Sequence, residues 1–109
     1  MIATQDIAQE IYNATKRLDK VPAQLFKSAE EYAQANKKYV EALGREKERL
    51  KDEGMAIGLI NDIAKSNIKE KLFDRDIAEF KYTAGRDAAK AISTQVNALQ
   101  SILKIQSDI

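Results

Sequence analysis

Apolar residues recur along this chain at helical spacing. Ile7, Ile11, Ala14 and Leu18 follow at intervals of 4, 3 and 4, which puts them on one face of a helix over about residues 4–20. Thr4 stands where a hydroxyl could cap its start. Val21-Pro22 marks its expected end, because a residue before proline is pushed out of the α region, and "VPAQLFK" then reads as a connector. The alternative places Pro22 in the first turn of a longer helix with a bend near Ser28. "SAEE" at Ser28–Glu31 has the capping-box pattern, in which serine and glutamate satisfy backbone donors reciprocally. From there the seam reads Leu25, Ala29, Tyr32, Asn36, Tyr39, Leu43, Glu46 and Leu50, flanked by Phe26, Ala33 and Val40. This alternation of 4 and 3 is the heptad of a coiled-coil-like pair. Asn36 on such a seam sets register, and Tyr32 and Tyr39 pack with their hydroxyls at the wet edge.

The seam fades in "GREKERLKDEG", where eight of eleven residues are charged. Pairs such as Glu41–Arg45 and Glu46–Arg49 would support that stretch as a solvated helix. Gly54 then falls where a left-handed cap suits glycine, and Gly58 reads as a close-packing position. Ile57, Ile60 and Ile63 with Ala64 recur as a short helix, an isoleucine plug at a corner, and Asn67 with Glu70 reads as the N-cap of the next helix. The final segment contains no proline and reads as one helix of ~60 Å. Its seam runs Phe73, Ile77, Phe80, Ala84, Ala88, Ala91/Ile92, Val96, Leu99, Ile102/Leu103 and Ile109. "TAGRDAAKA" within it is rich in small residues, which lets another helix come close. Residues 88–109 carry three charges against eleven apolar side chains, so that end must be covered from more than one side.

The pattern therefore predicts an all-α fold: an antiparallel long-helix hairpin, coiled-coil-like, with a shorter N-terminal helix and a short corner helix, completed as an oligomeric bundle. A single helical domain over 1–109 would hold helices at about 4–20, 22–53, 57–65 and 68–108. The interface expected for the oligomer or partner is Ile92, Val96, Leu99, Ile102 and Leu103.

Charge and composition narrow the chemistry. Eighteen basic and seventeen acidic residues give +1, and the balance is local: +4 and −3 over 1–27, +6 and −7 over 28–54, +8 and −7 over 55–109. No segment carries the one-signed field that non-specific nucleic-acid or anionic-membrane binding exploits. The absence of histidine and cysteine excludes Ser-His and Cys-His nucleophiles, disulfides and zinc sites built on nitrogen or sulfur. Glu70 and Asp74 share a helix face, whereas Asp74 and Asp76 point apart, and the Glu-x-x-His pairs of di-iron bundles are missing. "NDIAKSN" lacks calcium-loop spacing, and Gly54 and Gly58 lack the lysine-serine pattern of a phosphate loop. No catalytic residue, cofactor or metal is expected. The strongest nucleic-acid candidate is the stripe Arg75, Tyr82, Arg86, Lys90, diluted by Glu79 and Asp87. The start "MIATQDIAQE" has no signal-peptide pattern, and the longest apolar run, Met55 to Ile60, is too short to span a bilayer. No membrane contact and a cytoplasmic location are expected.

At "YAQANKKYVEAL", "LKDEGMAIGLINDIAK" and "VNALQSILK" the chain resembles the small uncharacterised helical proteins encoded in early gene regions of phages and prophages of Gram-positive bacteria. The resemblance covers most of residues 28–105, and its distinctive part is the "EG…LIND" corner. It implies a phage origin, action inside the infected bacterium, and an accessory part in replication, recombination or takeover. It supplies no catalytic residue. The expected function is a non-catalytic protein-protein interaction module acting on or with a host or phage protein. The alternative is a nucleic-acid-binding accessory factor, and an enzyme using Glu70 or Asp74 ranks last.

Overall fold

In a computed structural model, which describes residues 3–107, the chain is all-α. Helix α1 spans Thr4–Asp19, α2 Val21–Asp52, α3 Ile57–Asn67 and α4 Lys69–Ser107. The long helices α2 and α4 form an antiparallel hairpin, with α1 as the shorter first helix and α3 at the corner. No strand occurs among the described residues. Ile109, placed on the last seam by its spacing, and Asp108 lie outside the described residues.

Backbone packing divides the chain into two compact units. The first joins the chain up to Phe26 with the chain from Thr83 onward, and the second is Lys27–Tyr82. In the first unit Ile7 is 1% exposed, Ala14 is buried, and Ile11 and Leu18 are half-buried, as the spacing of α1 requires. Their counterpart is the α4 face on which Val96 is buried and Ile92, Leu99 and Leu103 are half-buried. The helices run antiparallel, since Thr4 Oγ1 donates to Gln106 Oε1 at 3.4 Å and Arg17 Nη2 to Gln95 Oε1 at 2.9 Å. Of the small residues in "TAGRDAAKA", Gly85 and Ala89 are half-buried, while Ala84, Ala88 and Ala91 are exposed. A Cβ built on Gly85 would meet Leu25 Cδ2 at 3.5 Å, an ordinary contact.

Several helix boundaries differ from the sequence reading. Thr4 does not cap α1. Ala3, in extended conformation, is the N-cap and has no side-chain cap bond, while its carbonyl accepts from Asp6 and Ile7. No connector follows α1. Lys20 stays in the right-handed region and its carbonyl accepts from Gln24, so α2 begins at Val21 with Pro22 in its first turn. The missing proline N–H removes no helical bond there. Ser28–Glu31 consequently lies inside α2 and starts nothing.

In the second unit Tyr39 and Leu50 are buried in α2, with Ala29, Tyr32, Leu43 and Glu46 half-buried around them. Asn36 is exposed and Ala35 takes its place on the packed face, while Ala33 and Val40 remain outside. Ala29, Leu43 and Leu50, like Tyr32, Tyr39 and Glu46, keep the seven-residue spacing, so the departure is confined to the Asn36 position.

The corner is set by Gly54. Its φ of 85° lies in the left-handed region, its N–H donates to the Lys51 carbonyl at 3.0 Å, and the Met55 N–H reaches Leu50 at 3.1 Å. This is a complete Schellman motif, with Met55 and the buried Leu50 as its apolar partners. Gly54→Ala should therefore lower stability by about 1 kcal/mol. Gly44→Ala, inside α2 with open space around the new methyl, should raise it by about 0.5–1 kcal/mol. Urea denaturation of the two variants checks both signs. Ala64 is fully buried in α3 and Ile60 and Ile63 are half-buried, so they form the plug, whereas Ile57 and Leu59 are exposed. Gly58 meets nothing within 4 Å and is not a close-packing glycine. Asn67 ends α3 instead of capping α4, and the Ile68 carbonyl, accepting from Lys71 at 2.9 Å, opens the last helix.

Candidate protein-interaction site

The first third of α4 carries two apolar stripes. Leu72, Ala78 and Tyr82 lie with Arg75 on one of them, and all four are half-buried toward α2. Phe73, Ile77 and Phe80 lie on the other, centred about 180° away at 100° per residue. These three were the expected seam, and the structure corrects that reading. Phe73 is 64%, Ile77 40% and Phe80 71% exposed. Partner chemistry on α2 explains the choice. The inward face sets the Arg75 guanidinium 4.5 Å from the centre of the Tyr39 ring, and the half-buried Ala78 follows one turn on along the same stripe. The outward stripe is bordered by exposed charges, Lys69, Asp74, Asp76 and Lys81.

The interface expected at the chain's end is partly sheltered within the first unit. Val96 is buried, Ile92, Leu99 and Leu103 are half-covered, and Ile102 and Ile105 stay exposed. Within the first unit, four of the five expected interface residues are thus buried or half-covered, and Ile102 is not. The nucleic-acid stripe is divided as well. In the second unit Arg75 lies over Tyr39 and pairs with Asp76 Oδ1 at 3.1 Å, and Tyr82 is half-buried beside it. In the first unit Arg86 and Lys90 are exposed.

Glu70 and Asp74 are exposed on α4, and Asp74 borders a shallow groove walled also by Lys27, Glu30, Lys38 and Lys71. The mixed signs and open walls of this groove give a solvated surface, with no dry cavity in which an acid or base would be held. Among the described residues no three acidic side chains converge as a metal site requires.

The strongest polar cluster tethers the corner. Glu46 Oε2 accepts from Arg49 Nε at 3.1 Å, Glu46 Oε1 accepts from Asn67 Nδ2 at 2.9 Å and also from Arg49 Nη2, and Arg49 Nη1 reaches Glu53 at 2.7 Å. Among the described residues the matching pair Glu41–Arg45 does not form. The Arg49 hydrogen bond, then that of Asn67, holds the Glu46 carboxyl below its ordinary value of 4.5, and the same pairing pushes Arg49 up. A depressed carboxyl stabilises the fold above its ordinary value, and that contribution is lost as pH falls through the lower folded value. Glu46→Gln should therefore flatten the fall in stability on acidification below pH 4.5, as seen by thermal unfolding at stepped pH.

Among the described residues no helix is long and apolar enough to cross a membrane. No family model matches the chain, and no curated protein or solved structure is significantly similar to it.

Proposed function

We propose that this chain is a non-catalytic helical interaction module that binds protein through an exposed apolar helix face. We further propose that it is phage-encoded and works in the bacterial cytoplasm on or with a host or phage protein, as its resemblance implies. The observation that carries the reading is the Phe73, Ile77, Phe80 stripe. Single exposed apolar residues are ordinary on protein surfaces, but three on one helix face, two of them phenylalanine, form the kind of patch that marks an interaction site. The near-cancelling charge supports a protein partner over a polyanion.

The test is capture from a bacterial extract on immobilised protein, comparing the wild type with a Phe73→Ser/Phe80→Ser double variant. The expected result is a protein retained in high salt by the wild type and lost with the variant. Equal retention by both would remove the stripe from the function. Binding that instead fades with salt and with Arg86→Glu would speak for the nucleic-acid accessory role.

A further inference from the structure

The outward stripe also contains information about what covers it. Phe73, Ile77 and Phe80 are spaced 4 and then 3, the d, a, d order of a heptad. In that frame Lys69 and Asp76 occupy g positions, and Asp74 and Lys81 occupy e positions. All four are exposed, and Asp76 meets Arg75 through Oδ1. In a parallel coiled-coil pair each g residue faces the e residue five positions on in the other helix. Lys69 would then face Asp74 of the second copy, and Asp76 would face Lys81. Every g–e contact bordering the apolar layers is thus an opposite-charge pair, and the dyad repeats both.

We propose that the occupant of this face is a second copy of the chain, docked parallel and in register, Phe73 on Phe73, Ile77 on Ile77 and Phe80 on Phe80. The proposal rests on reading this face as an interaction surface and names its partner. An antiparallel pair of the same stripe would match Asp74 with Lys81 but would leave Lys69 and Asp76 without their partners. Glu70 occupies the preceding a position and would bring two carboxylates together, so the apolar repeat stops at Phe73. Two phenylalanines and one isoleucine supply on the order of a few hundred Å² per copy, below the ~800 Å² of a standard interface. The pair is therefore reversible and concentration-dependent.

The chain has no cysteine, so Phe73→Cys, Ile77→Cys and Phe80→Cys each introduce a unique thiol. A parallel in-register pair predicts a disulfide-linked dimer from all three variants when diamide is the oxidant, whereas an antiparallel pair links at most the position nearest its dyad. Sedimentation equilibrium of the wild type should show monomer and dimer. Phe80→Glu should weaken association about 100-fold or more with helicity unchanged by circular dichroism. Lys81→Glu should weaken it about 5-fold, and adding Asp76→Lys should restore it. A wild type monomeric at ~1 mM, or failure of any of the three thiols to link, overturns the proposal. In that event the capture experiment with Phe73→Ser/Phe80→Ser still decides whether the face binds a different protein.

Discussion

Tyr39→Ala should lower stability by about 3–4 kcal/mol, because truncating a buried aromatic removes its transfer energy and leaves a cavity. Tyr39 is 6% exposed, and its ring is the surface on which the α4 residue Arg75 lies. Part of the loss is the cation–π contact, worth about 1 kcal/mol when partly desolvated. Tyr39→Phe keeps the ring and should cost less than ~1 kcal/mol. Phe80→Ala, truncating a more hydrophobic ring that is mostly in solvent, should cost no more than about 0.5 kcal/mol. The order of these three losses in urea denaturation reports which face of α4 is inside. If Phe80→Ala proved as damaging as Tyr39→Ala, the second unit would be packed the other way round.

Ile7→Ala should cost about 2–4 kcal/mol, the usual loss for an isoleucine deep in a core. Among the described residues Ile7 is the largest side chain with almost no exposure, and it lies on the α1 face that packs in the first unit with α4. Burial of that face holds α1 in place. The variant should lose hydrogen-exchange protection along α1 before the second unit does, because it weakens the first unit's core alone. Ile105→Ala, at an exposed position of the same unit, should change stability by no more than about 0.5 kcal/mol. Equal effects from both would mean that α1 is held by something other than its Ile7 face.

The face of α1 was legible because its apolar residues occupy one stripe and its opposite side is polar, so only one docking orientation buries them. Gly54 was legible for a similar reason: a run of charged helix ending in a lone glycine has few solutions besides a left-handed cap. At Asn36 the departure is local, with the neighbouring Ala35 on the packed face, and at Thr4 the hydroxyl is engaged across the unit with Gln106 instead of along the backbone. The error at Phe73, Ile77 and Phe80 is of another kind. Two stripes compete there, and hydrophobicity alone selects the greasier one. The choice depends on what α2 presents, and the contact of Arg75 with the Tyr39 ring is tertiary information that no local period carries.

Two neighbouring residues test the two-faced helix most directly. Ala78→Glu would push a carboxylate and extra bulk against α2, and should cost about 2 kcal/mol or more. Ile77→Glu, one residue earlier and pointing outward, should leave the stability of dilute monomer within about 0.5 kcal/mol. Chemical denaturation of both variants at low protein concentration should therefore show a large loss for Ala78→Glu and almost none for Ile77→Glu, and the reverse order would contradict the account.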